Sequence, residues 1–289
     1  MDRPASTFLF HKSEFIFRNP ESEIIAFESD RSKIYFSRSG NLLVSLDKSP
    51  FGSFVLTSET KKSDLNTLIG NIVEWSTANG IANLMIRSFP EIYNPYYNAL
   101  INEAVIDSGF SVKYKDISQV IPVSEGSINL NTHKKRRLRQ AKSLDFIFRE
   151  TSLDHLKESY LLIVESRKNK GYPVTMTLSD LGAMFKLFPR DYLLFGVFDK
   201  SKLIATSVCI KVNEEILYCF YIGDDLAYRT YSPVTLLVSG IYEYCKHQHF
   251  KILDLGISTD KGTLNKGLYT FKKSFGSLDS YKLTFLKQL

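Results

Sequence analysis

Residues 252–276 read ILDLGISTDKGTLNKGLYTFKKSFG, and the reading of this stretch decides the reading of the chain. It opens as a short apolar strand, Ile252-Leu253-Asp254-Leu255, closed by Gly256. A polar loop follows, and then Gly267-Leu268-Tyr269-x-Phe271-Lys272-Lys273-x-Phe275-Gly276. A carboxylate inside an apolar strand is costly unless it is paired or faces a cavity. A lysine in an aromatic-rich segment just beyond the end of that strand is placed to supply positive charge to a site. The plainer alternative is a core strand followed by an amphipathic helix whose lysine is solvated.

Asp-x-Gly, a variable loop and then Gly-Leu-x-x-Phe-Lys-x-x-Phe-Gly resembles the closing motif of the Fem-type acyltransferases. These are tandem GNAT-fold proteins that include the peptidoglycan aminoacyl transferases. The resemblance covers Asn131 to the C-terminus well and the first 125 or so residues in outline. It implies an α/β fold with a mixed sheet, built as two tandem GNAT-like domains. Residues 1–125 would be a degenerate N-terminal domain that helps to shape a substrate groove, and residues 126–289 the acyltransferase domain.

Bulk properties agree with a protein of that size. The chain of 289 residues is long enough for a large core or two ordinary domains. Its composition is 44% hydrophobic and 24% charged, as in soluble globular proteins. A formal net charge of +6 favours an anionic partner such as a CoA phosphate, a nucleotide-linked substrate or RNA. Cys209, Cys219 and Cys245 form neither a disulfide framework nor a zinc knuckle, so no metal is expected and a reducing cytoplasm fits. The N-terminus lacks the apolar run of a signal peptide, and no stretch approaches the ~20 apolar residues of a membrane span.

Residues 7–57 read as short strands: Thr7–Phe10, Glu23–Phe27, Lys33–Ser37, Asn41–Leu46 and Ser53–Thr57. The period then becomes helical over Lys61–Asn79 and again over Pro95–Ser108. The strand Ile81–Phe89 lies between these helices, and the strand Phe110–Val123 follows the second. Tyr93, Tyr96 and Tyr97 read as a packed aromatic face rather than a site.

Ser124–Ser127 is a polar bridge. Beyond it, Asn131 or Thr132 can cap a helix carrying His133-Lys134-Lys135-Arg136-Arg137-Leu138-Arg139. Lys135, Arg139 and Lys142 share one face; with Arg136 they would contact phosphate, or simply be solvated. Helices over Asp154–Lys170 and Asp180–Phe188 precede three consecutive strands, Tyr192–Asp199, Lys202–Asn213 and Glu215–Ile222. Ser232 then stands as an N-cap and Pro233 as the first residue of a helix reaching His249, whose start is a ready anion site.

In ordinary GNAT enzymes Arg/Gln-x-x-Gly-x-Gly/Ala stands at this start and holds the CoA pyrophosphate. This chain has Arg229-x-x-Ser232-x-Val234 before Thr235. Arg229 matches, and both glycines are replaced. The resemblance therefore leaves two acyl donors open, acyl-CoA (acetyl-CoA) and aminoacyl-tRNA, both anchored around Arg229, Ser232, Val234 and Thr235. It further implies that Lys272 stabilises charge on the transferred carbonyl, that Tyr221 positions that carbonyl or donates a proton, and that Asp254 acts as a base or orients the amine. Asn265, Tyr269 and Phe271 would line the groove for a small-molecule or cell-wall-precursor amine. The competing reading is a non-catalytic GNAT-derived module that binds a nucleotide-linked or other anionic ligand.

Overall fold

The structure, a computed structural model, describes residues 7–289. In chain order the elements are α1 (Ser13–Ile16), β1 (Ile24–Glu28), β2 (Ser32–Ser39), β3 (Leu42–Val44), β4 (Val55–Leu56), α2 (Lys62–Ala78), β5 (Asn83–Arg87), α3 (Pro95–Asp107) and β6 (Ser111–Pro122). There follow α4 (Thr132–Ser143), β7 (Ile147–Glu150), α5 (Leu156–Lys168), α6 (Leu178–Leu187), β8 (Tyr192–Asp199), β9 (Lys202–Asn213) and β10 (Ile216–Asp224). The chain ends with α7 (Pro233–His247), β11 (Ile252–Ile257), β12 (Thr259–Asp260), β13 (Thr263–Leu264), α8 (Lys266–Lys273) and β14 (Leu278–Gln288). Strands and helices alternate as the α/β reading expected.

Two compact units result. Of the described residues, the first comprises 7–118, 257–265 and 279–289, and the second 119–256 and 266–278. They differ from the linear halves 1–125 and 126–289 because two C-terminal segments pack with the first unit.

In the first unit the strands run in the order β1-β2-β3-β5-β14-β6, with β4 also on β2. β3 and β5 are parallel, while β1 with β2 and β5 with β14 are antiparallel. Leu84 and Ile86 on β5 are fully buried and alternate with half-buried neighbours, the period of two that a one-sided sheet dictates. The core is aromatic, with Phe8 edge-on to Phe51 and Phe89 at centroid separations of 5.3 and 5.1 Å. Thr7–Phe10, expected as a strand, is instead extended and then a 3₁₀ turn (Leu9–His11). Phe8, Leu9 and Phe10 are all buried, and an apolar run buried on every side carries no period that separates strand from turn. The aromatic face expected at α3 is divided: Tyr93 packs on Phe8 and Phe51, whereas Tyr96 is 70% exposed.

In the second unit the order is β6 (from Gln119)-β11-β10-β9-β8-β7. β8, β9 and β10 form an antiparallel meander. β10 and β11 are parallel and are joined through α7, the strand–helix–strand unit expected here. Leu237, Ile241 and Tyr242 of α7 pack with Leu217, Leu253, Phe195 and Phe275 in one buried core. Close packing also explains Gly223 on β10, where a Cβ would lie 2.7 Å from the backbone of Ile163 in α5.

Candidate active site

The candidate site lies at a fork in the second unit. β10 and β11 pair at Ile216–Ile252, Leu217–Leu253 and Tyr218–Asp254 only, although β10 runs on to Asp224 and β11 to Ile257. On its other edge β10 slips register against β9 between Cys219 and Tyr221, the mark of a β-bulge, which bends a strand away from its neighbour. Tyr218 and Asp254 therefore stand where the two strands part.

α8 brings Lys272 to this fork. Its side chain is buried, and Nζ donates to the carbonyl of Gly256 at 2.7 Å. Burial pulls the ammonium down to about 7, against the opposing attraction of Asp254, because a charge loses more on leaving water than one carboxylate returns. Asp254 is buried as well, and its Oδ1 accepts from the amide of Gly256 at 2.6 Å. The carboxylate thus has a backbone donor and a cationic neighbour, the pairing that an acidic residue in an apolar strand needs. Gly256 turns at φ +77°, and a Cβ there would meet the ring of Tyr218 at 3.1 Å. Only glycine suits that backbone at that distance. Burial, with Asp254 nearby, raises the Tyr218 phenol well above its usual range.

Tyr221 is differently employed. Its hydroxyl accepts from the amides of Thr175 and Met176 at 3.0 and 3.2 Å and pairs with the Thr175 hydroxyl at 2.7 Å. The Arg167 guanidinium lies 5.2 Å from its ring centre. Tyr221 thus fastens the segment between α5 and α6. Phe271 is half-buried and edge-on to Phe275 at 5.2 Å. Tyr269 is half-buried, and its carbonyl accepts from Gln119 Nε2 at 3.3 Å. Asn265 belongs to the first unit, where its amide donates to Ser258 at 2.9 Å.

The head of α7 holds the residues expected to grip the donor. Pro233 is the first helical residue, as foreseen. Ser232 occupies the N-cap position but makes no side-chain cap bond, because its backbone is left-handed at φ +55° rather than extended as a side-chain cap requires. Arg229 Nε donates to Asp224 Oδ2 at 2.9 Å. Asp224 also accepts from Ser166 at 2.7 Å and Lys170 at 3.0 Å. Thr235 is buried, and its hydroxyl accepts from Lys134 Nζ at 3.2 Å, while Val234 is half-buried. Lys134 also lies 4.4 Å from the ring centre of Phe271 and 4.8 Å from that of Phe275. Burial, with Arg137 nearby, lowers its ammonium to about 8. Arg137 donates to the carbonyl of Thr230 at 2.7 Å. The α4 helix that carries both is capped by Asn131, which accepts from the amide of Lys134 at 2.9 Å. Lys135, Arg136, Arg139 and Lys142 are exposed. Phe271 and the head of α7 thus come together through Lys134.

No family model matches the chain, and no curated protein sequence does. Solved structures are similar in fold. FemX shares 14% identity at a TM-score of 0.71, over all of this chain and 93% of that one. L-PGS from Bacillus licheniformis shares 11% at 0.63, over 92% of this chain and 83% of that one. A tandem GNAT protein from the clavulanic acid biosynthesis pathway shares 10% at 0.54, over 95% and 86%. The fold is that of FemX and the tandem GNAT proteins.

Within this Fem-type fold, two residues at the site were not singled out from the sequence. Lys134 sits in a run of cations whose period does not reveal which one turns inward. Tyr218 is one of three aromatic residues in Tyr218-Cys219-Phe220-Tyr221, and the bulge that follows it is invisible to a two-residue period. Among the described residues no group of His, Cys, Asp or Glu could hold a metal ion, and no helix is long and apolar enough to cross a membrane.

Proposed function

We propose that the protein is an N-acyltransferase whose reaction centre is the fork between β10 and β11. The observation that carries this reading is Lys272, a buried cation on a backbone carbonyl at the point where two paired strands separate. An amine attacking an acyl carbon generates a tetrahedral oxyanion, and preorganised positive charge in a dry site is the strongest means of stabilising it. Lys272 supplies that charge. Asp254, held by the Gly256 amide, orients the incoming amine and takes up its proton. Phe271 and Tyr269 line the approach of the acceptor, a small-molecule or cell-wall-precursor amine.

The donor we favour is aminoacyl-tRNA rather than acyl-CoA. Ser232 and Val234 narrow the loop that glycines would open to a pyrophosphate, and Arg229 is engaged with Asp224. The exposed cations of α4 suit a polyanion that is held outside the protein. The experiment that tests this is a thermal melt with and without acetyl-CoA, CoA and bulk tRNA. A ligand at 100 times its Kd adds about 2.7 kcal/mol. Stabilisation by tRNA alone, lost as salt rises, is expected. Stabilisation by CoA at high salt reassigns the donor. Stabilisation by none of them removes the donor part of the reading and favours the binding-module alternative.

A further inference from the structure

The net positive charge of the chain is concentrated in one helix. The chain has 37 Lys and Arg against 31 Asp and Glu. Six of the cations, Lys134, Lys135, Arg136, Arg137, Arg139 and Lys142, lie in α4, which contains no carboxylate. The rest of the chain is neutral, 31 against 31. The apolar side of α4 is already used: Ala141 is buried, and Leu138 packs on the core of the second unit. What the helix offers outward is charge.

Beside this helix stands a cluster of three aromatic rings. Arg137 ties α4 to the 3₁₀ turn Leu226–Tyr231 through the carbonyl of Thr230 at 2.7 Å. The ring of Phe146, just beyond the end of α4, lies 6.0 Å from that of Tyr228 and 6.2 Å from that of Tyr231, and the two tyrosine rings are 6.2 Å apart. Phe146 and Tyr228 are half-buried and pack on the core. Tyr228 is pinned further by its hydroxyl, which donates to Asp199 at 2.9 Å, and by Lys202, 4.8 Å from its ring centre. Tyr231 stands edge-on to Phe146 and is 39% exposed. An exposed tyrosine alone means little: Tyr96 is more exposed, on a helix that carries Glu103 and Asp107 and no cation. A ring seated on two others beside a dense run of cations is what holds single-stranded nucleic acid, whose phosphates follow the charge while an unpaired base stacks on the ring.

We propose that Tyr231 is a stacking platform for an unpaired base at the 3′ end of the RNA that carries the acyl group, with α4 holding the phosphates of that RNA. This rests on the aminoacyl-tRNA reading of the donor. CoA also has a base and phosphates, but the 12 residues of α4 extend over about 18 Å, a length of positive charge that suits a polyanion. An anionic membrane would be drawn to the same charge, but a helix that lies in a membrane needs a free apolar face, and that of α4 is packed.

The test measures binding of the whole chain to two RNA hairpins with the same stem. One ends in an unpaired 3′ tail, and the other in a tail of equal length made of abasic sugars, which keeps the phosphates and removes the bases. Wild type should bind the first about 5- to 150-fold more tightly, the range for one stacked base. Tyr231→Ala should abolish that ratio, leave the dependence on salt unchanged because no phosphate contact is lost, and keep the melting temperature. Tyr231→Trp should retain the ratio. Equal binding of the two hairpins by wild type overturns the proposal, as does a Tyr231→Ala protein that keeps the ratio. If Tyr231→Ala instead loses binding to CoA or to phosphatidylglycerol vesicles, with RNA binding intact, the surface belongs to that ligand and the proposal falls. Transfer is assayed separately, from alanyl-tRNA or acetyl-CoA to lysine amide. A protein that shows the Tyr231-dependent ratio and transfers from neither donor keeps the platform and loses the acyltransferase reading. One that transfers from acetyl-CoA and shows no such ratio keeps that reading and loses the platform.

Discussion

The fork of β10 and β11 and the head of α7 lie in the same unit and use their polar groups in opposite ways. At the head of α7 two polar groups are taken up by the protein itself, Arg229 by Asp224 and Thr235 by Lys134, while Ser232 turns left-handed without capping. At the fork a lysine is buried against a backbone carbonyl, and a tyrosine hydroxyl faces no partner among the described residues. A buried charge contributes little to stability that a well-packed apolar side chain would not, and the proposed function gives Lys272 a use there. The difference teaches that Arg229 and Thr235, where a GNAT protein ordinarily anchors its donor, are engaged within the scaffold of this chain, while the proposed function puts the chemistry between the strands.

The largest way to break the comparison is at Lys272. Lys272→Ala removes one oxyanion interaction, roughly 3–4 kcal/mol, and should lower turnover by two orders of magnitude or more with the protein still folded. A mutant with near-normal turnover places the chemistry elsewhere. Because the ammonium releases its proton at about 7 in the protein without substrate, kcat/KM should fall as pH rises through that value, against the rise caused by deprotonation of the acceptor amine. The residual activity of the alanine variant should lack the falling limb.

Next in size is the outer face of α4. Replacing Lys135, Arg136 and Arg139 together by glutamine should weaken tRNA binding and flatten its salt dependence, by about 0.7 in log–log slope for each phosphate no longer neutralised. Melting temperature should hold, since these side chains are exposed. An unchanged slope would return the donor's anchor to α7. The smallest effect belongs to the scaffold. Asp224→Asn should cost about 1–2 kcal/mol, because Lys170 and Arg229 are themselves partly exposed. The Ser166 bond and the Lys170 and Arg229 charges hold the Asp224 carboxyl below its ordinary value against burial. Its stabilisation is therefore present at neutral pH and lost as pH falls below about 3.8. Chemical denaturation at pH 7 and pH 3 checks both: the cost should be visible at the first and shrink at the second.

Much of this arrangement was legible in the amino-acid order, and the rest was hidden for identifiable reasons. Gly80, Gly109 and Gly171 punctuate helices with positive φ, so α2, α3 and α5 could be placed from glycine and helical period. The β8–β9–β10 meander followed from apolar strands with turns at Lys200 and Asn213. The Phe-Lys motif pointed to Lys272, whose side chain is buried rather than solvated. Three features were not readable. The β12–β13 hairpin, held by Asp116 through Thr259 at 2.6 Å, depends on a residue 143 positions away. The exchange of 257–265 and 279–289 into the first unit is a matter of long-range pairing, to which local propensity is blind. Ser232 looked like an N-cap because its side chain suits one, but its backbone takes a different turn before Pro233.

The most direct measurement is the titration of Lys272 itself, by carbon-13 NMR of the lysine side chains with the resonance assigned from Lys272→Ala. A lysine that titrates at about 7 in the protein alone, and whose resonance moves when charged tRNA or acetyl-CoA is added, is the predicted result. A Lys272 that titrates near 10.5 and is moved by neither donor contradicts the account.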